Sequence, residues 1–80
     1  MLDELKSAKK FVGIKQSLKA IDKGIVLKAF VAEDADSALT EVIKELCGKN
    51  GIEVEACDTM QNLGSACGIN IGAACAVITK

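Results

Sequence analysis

The stretch Gly13-Ile14-Lys15-Gln16-Ser17-Leu18-Lys19 holds the residues best suited to chemistry with a ligand. A glycine ahead of a helical pattern lets another backbone approach closely. The start of a helix offers free N–H groups and the positive end of the peptide dipole, both suited to phosphate. Lys15 and Lys19 stand four apart and share one face, which Lys23 continues. Gln16 lies beside Lys15 and can both donate to and accept from a base edge. Lys15 can donate to guanine O6 and N7. Phosphate contacts would position such a protein, and base contacts would specify its site. A plainer reading fits the same residues: Gly13 as a simple turn, and lysines opposite an apolar stripe as on any amphipathic helix. The residues alone leave both open.

Other chemistry is poorly provided for. The chain has no histidine for acid–base work near neutral pH and none to activate a cysteine. No Gly-x-Gly-x-x-Gly or Gly-x-x-x-x-Gly-Lys motif occurs. An enzyme is therefore not expected, and no cofactor. Cys47, Cys57, Cys67 and Cys75 are spaced by 10, 10 and 8 residues, with no Cys-x-x-Cys pair. Each lies among apolar or small residues, where a free thiol behaves as a small hydrophobe, so buried thiols are expected rather than disulfides or zinc. Asp34 and Asp36 could ligate a cation, but in a turn before a helix they are better read as caps. Gly64-x-x-x-Gly68 is read as close packing plus a helix end. Phe11 and Phe30, the only aromatics, both sit in apolar contexts, which disfavours base stacking on an aromatic platform.

These residues need a scaffold, and glycines punctuate it, since proline is absent. Leu2, Leu5 and Ala8 suggest a short first helix, and Phe11-Val12 a minimal strand. Ile14, Leu18, Ile21 and Ile25 form a helical apolar stripe ended by Gly24. Val26 to Ala32 predicts a strand. Asp36 or Ser37 caps a third helix with Leu39, Val42, Ile43 and Leu46 on its buried face, stopped by Asn50-Gly51. Ile52 to Cys57 alternates as a strand with one wetter face. Asp58 with Gln61 reads as a capping-box variant opening a fourth helix, which ends near Gly68. Ala73 to Thr79 is nearly all apolar and predicts a central strand. This alternation predicts a single α/β domain over residues 1–80, a three-layer α/β/α sandwich around a mixed four-stranded sheet.

Net charge is −1, but it is unevenly spread. Residues 1–28 hold seven lysines and three acids, a net of +4; residues 29–80 hold three lysines and eight acids, a net of −5. Any anionic partner should therefore be met locally. There is no arginine for bidentate clamps. No targeting signal or membrane-spanning run is visible, so a cytoplasmic protein with no membrane partner is expected. Nothing demands more than a monomer.

Three blocks resemble a known family. They are Val12-Gly13-Ile14-Lys15-Gln16-x-x-Lys19-Ala20, Val31-Ala32-Glu33-Asp34-Ala35-Asp36, and the run from Leu63 through Gly64-Ser65-Ala66-Cys67-Gly68-Ile69-Asn70-Ile71-Gly72 to Ala74. In this order they resemble the kink-turn-binding ribosomal protein family, the L-seven-A-e and L-thirty-e superfamily, and most of all its small bacterial ribosome-associated members. The resemblance implies an α/β/α sandwich that binds a kink-turn, a helix–bulge–helix RNA with tandem sheared G·A pairs beside the bulge. It implies that Gly13 and Ile14 let the helix start approach the RNA, that Lys15 and Gln16 contact the G·A guanines, and that Lys19 reaches nearby. Glu33 would belong to the same RNA face, and Ile69, Asn70, Ile71 and Gly72 would cover the bulged nucleotides. The implied partners are ribosomal RNA or a riboswitch, and the ribosome. Two departures stand out. Archaeal and eukaryal members usually carry Asn-Glu where this chain has Lys15-Gln16, and Ser37 replaces a common proline.

Two further functions stay in view. A protein-interaction module would dock on a ribosomal or regulatory protein through the acidic half, Glu33 to Asp58. A redox sensor would use Cys67 or Cys75, although no cation other than lysine adjoins them in sequence.

Overall fold

The computed structural model describes residues 4–80, in the order α1 (Glu4–Ser7), β1 (Lys10–Val12), α2 (Ile14–Asp22), β2 (Val26–Ala32), α3 (Ser37–Lys49), β3 (Glu53–Cys57), α4 (Met60–Ala66) and β4 (Cys75–Thr79). The expected alternation is present, and Leu2 lies outside the described residues. The strands form one mixed sheet in the order β1-β4-β2-β3. Strand β4 runs antiparallel to both β1 and β2, and β2 runs parallel to β3. All five β4 residues are buried, as a central apolar strand requires.

The sheet has an apolar cluster on each face. Leu5 of α1 and Leu63 and Ala66 of α4 pack with Phe30, Ala32, Ala76 and Ile78 on one side. Ala20 and Ile21 of α2 and Ile43 and Cys47 of α3 pack with Ala29, Val31, Cys75 and Val77 on the other. The result is the expected three-layer α/β/α sandwich. All four cysteines are buried with free thiols inside these clusters.

Local chemistry explains the element ends. At the end of α2, Gly24 N–H donates to the Ile21 carbonyl and Ile25 N–H to that of Ala20, the paired bonds of a Schellman turn. The same pairing ends α3 at Gly51-Ile52 and α4 at Gly68-Ile69. Asp36 caps α3 by accepting from Ala38 N–H at 2.9 Å.

Three expectations are corrected. The buried face of α3 is Thr40, Ile43 and Cys47, while Leu39 is 44% and Val42 47% exposed. Thr40 can face inward because its hydroxyl donates to the Ser37 carbonyl, and Cys47 packs as a hydrophobe. The cap of α4 is Thr59, whose hydroxyl accepts from Asn62 N–H at 3.0 Å, and not Asp58. Strand β4 also begins later than Ala73, because Ala73 N–H is drawn out of the ladder to the Met60 carbonyl. Phe11, on edge strand β1, is 40% exposed, while Phe30 is fully buried.

Candidate nucleic-acid interface

Gly13 closes β1 and caps α2. Its φ of 99° and ψ of 161° lie where an L side chain is strained. Its N–H donates to the Cys75 carbonyl at 2.8 Å, and its carbonyl accepts from Ser17 N–H at 3.0 Å. One residue thus joins the start of β4 to the first turn of α2. The space where its Cβ would sit is open, so the helix terminus is accessible from outside. No acidic residue stands in the first turn to neutralise the positive end of the peptide dipole.

From this start Lys15, Gln16 and Lys19 project into solvent, while Ser17, Ala20 and Ile21 are buried. Ile14 and Leu18 are half-buried against the core on the sheet's α2–α3 face. What Ile14 offers a ligand is therefore its main chain. Beneath the helix, Cys75 Sγ donates to Ser17 Oγ at 3.3 Å, so α2 is seated on β4 by a polar contact as well as by packing.

The other candidates reach the same end of the sheet. Ala32 N–H donates to the Ala74 carbonyl at 2.9 Å and Glu33 N–H to the Cys57 carbonyl at 2.8 Å. This brings the exposed Glu33 turn beside the segment leading into β4 and thence to Gly13. The 69–72 loop feeds that segment. Asn70, Ile71 and Gly72 are exposed, and Ile71 is 73% exposed. Ile69 is half-buried on the core, so the two isoleucines divide: Ile69 anchors the loop and Ile71 is displayed.

The loop is held tightly although it is exposed. Ile69 N–H donates to the Gly64 carbonyl and Ala73 N–H to that of Met60, each at 3.0 Å. A Cβ on Gly64 would collide with the Ile71 carbonyl, and one on Gly72 would lie 3.0 Å from Met60 Cβ. Close packing plus a helix end is thus what Gly64-x-x-x-Gly68 provides. Two further residues belong to this end and were not expected there, Asp34, which was read as a cap without its partner, and Met60. Asp34 Oδ1 accepts from Met60 N–H at 2.7 Å, and Met60 itself is the joint between α4 and the loop. A carboxylate in an acidic turn was the only available signal.

The chemistry of the remaining candidates is weaker. Burial pushes the thiols of Cys47, Cys67 and Cys75 up from their ordinary range, the opposite of what a reactive thiolate needs. On β3, Glu55 accepts from Lys28 at 3.0 Å, and this bond holds its carboxyl below the usual range. Part of the acidic half is therefore already paired within the chain.

An open, basic helix start, an acidic turn and an apolar loop are thus gathered at one end of an α/β/α domain, the kind of loop end on a rigid scaffold where binding residues are concentrated. The chain belongs to the ribosomal protein L7Ae/L30e/S12e/Gadd45 family, whose model matches residues 2–80. It is 44% identical over 68 residues to an RNA-binding protein of Caldanaerobacter subterraneus, covering 85% of this chain and 83% of that relative. It is 37% identical over 67 residues to the large ribosomal subunit protein eL8 of Halobacterium salinarum, covering 82% of this chain and 56% of that protein. The fold superposes on a 15.5 kD RNA-binding protein of Giardia lamblia with a TM-score of 0.89 at 24% identity, over 99% of this chain and 70% of that one.

Proposed function

We propose that this protein binds RNA without catalysis, recognising a kink-turn through the start of α2 and the 69–72 loop, and that it does so in association with the ribosome. The observation that carries this reading is the meeting of two unlike surfaces at one end of the sheet. Lys15, Gln16 and Lys19 stand exposed at the open N-terminus of α2, and Ile71 stands exposed on a braced loop. A straight duplex would need only the cationic part. A bulge beside a duplex presents both polar base edges and unstacked bases, which call for donors and an apolar cover respectively. A regular RNA helix closes its major groove to side chains, so Lys15 and Gln16 need a distortion such as a sharp kink to reach the base edges. The names of the bacterial and halophile relatives support RNA and the ribosome as partners.

The partly exposed Phe11 is one ring on an edge strand, which is too little for a stacking platform of the kind single-strand binders use. Folded RNA read at a distortion is the better match.

The test is a titration of a labelled kink-turn RNA at near-physiological salt, beside a control whose tandem G·A pairs are replaced by Watson–Crick pairs. Tight binding to the first and a loss of about tenfold or more on the second, or 1.4 kcal/mol, is expected. Equal weak binding to both overturns the proposal.

A further inference from the structure

The contact between Asp34 and Met60 spans 26 residues of sequence. Asp34 sits in the β2–α3 turn next to Glu33, and its carboxylate accepts from the first N–H of α4 at 2.7 Å. The carbonyl of that same Met60 accepts from Ala73 N–H at the far end of the 69–72 loop. Gly72 lies flush against the Met60 side chain, and Ile71 presses its carbonyl against Gly64 one turn further along α4. Met60 is therefore a joint with a turn on one side and the displayed loop on the other; it packs against the core, and Asp34 adds a hydrogen bond that ties it to the end of β2.

We infer that Asp34 is a positioning residue for the loop that carries Ile71, and so sets how well the protein discriminates a bulged RNA from a plain one; this rests on the proposed RNA reading. Thr59 satisfies Asn62 N–H inside α4, while Asp34 satisfies a different orphan donor of the same helix start, Met60 N–H, from another element of the fold. It supplies a tertiary link. Its negative charge beside an RNA-facing surface is unfavourable for binding a polyanion, so the useful property is the acceptor oxygen rather than the charge. An asparagine at this position keeps an acceptor and loses the charge.

The experiment compares Asp34→Ala and Asp34→Asn with the unchanged protein by two measurements. The first is amide hydrogen exchange of the free protein at Ala73, with Val77 in the central strand as the global reference. In Asp34→Ala, exchange at Ala73 should rise about tenfold or more with Val77 unchanged, because local opening is separable from global unfolding. In Asp34→Asn both should stay as in the unchanged protein. The second is affinity for the kink-turn RNA and for its Watson–Crick control. Asp34→Ala should lose several-fold in discrimination, and Asp34→Asn should restore it. Unaltered exchange at Ala73 in Asp34→Ala, a parallel rise at Ala73 and Val77, or an asparagine variant as defective as the alanine one overturns the inference. Failure of the unchanged protein to distinguish the two RNAs overturns the RNA reading instead, and Ala73 exchange still decides whether Asp34 holds the loop.

Discussion

Gly13 and Gly64 serve the same end of the molecule for different physical reasons. At Gly13 the constraint is the backbone conformation, with open space around it. At Gly64 the constraint is contact, since the Ile71 carbonyl occupies the place of a side chain. Gly64→Ala must therefore displace the loop or the helix. A loss of about 1–3 kcal/mol in urea unfolding is expected, the usual cost of overpacking. Kink-turn selectivity should fall with it. A Gly64→Ala protein of unchanged stability would mean that the loop yields freely. Gln16 is exposed and outside the core, so Gln16→Ala should leave stability within about 0.5 kcal/mol. It should relax discrimination for the G·A pairs by about 1 kcal/mol or more, as loss of a base-edge contact does. Full selectivity in Gln16→Ala would remove that residue from the recognition surface. Gly13, Lys15 and Gln16 were legible as a group because their chemistry is local to one helix start. Asp34 was not, because its partner is a main-chain N–H whose nearness depends on the fold and not on the neighbouring residues.

At the scale of elements, the alternation of helices and strands was readable because glycines mark the breaks and apolar residues change period from 3.6 to 2 between them. The face of α3 was readable only in part. Of the stripe Leu39, Val42, Ile43 and Leu46, Ile43 is buried and Leu46 packs against the core, but the helix is turned so that Thr40 and Cys47 take the inward places expected of Leu39 and Val42. Thr40 and Cys47 carry polar atoms, and only a local hydrogen bond and the softness of sulfur make them acceptable inside. This rotation predicts an asymmetry between neighbours. Ile43→Ala should cost about 2–5 kcal/mol, as deletion of a fully buried branched side chain does. Val42→Lys, one position away and far bulkier in charge, should stay within about 0.5 kcal/mol. Denaturant midpoints of the two variants check this, and similar losses in both would mean that α3 is rotated from the orientation described. The strand order β1-β4-β2-β3 also has no local signature, yet it brings the ends of β1, β2 and β3 to the start of β4, and it is what gathers the candidate residues at one end.

The whole molecule carries its charge in two unequal parts, +4 over residues 1–28 and −5 over residues 29–80. A polyanion approaching it is attracted by one region and repelled by the rest, so affinity cannot come from a broad cationic surface. Only Lys15 and Lys19 project from α2, with Lys23 at its C-cap, and two or three neutralised phosphates is what they can supply. Counterion release then gives a slope of log affinity against log salt of about −1.8 to −2.7, an affinity loss of about 12- to 40-fold between 50 and 200 mM. A protein that holds six or more phosphates would lose about a thousandfold or more over the same range. Titrating the kink-turn RNA across that range separates the two cases. A steep slope would place the RNA on lysines beyond α2, such as Lys6, Lys9 and Lys10, and would shift recognition from base edges towards backbone. A shallow slope with retained G·A selectivity is what a small, net-negative protein must show if it recognises RNA by shape and base edge.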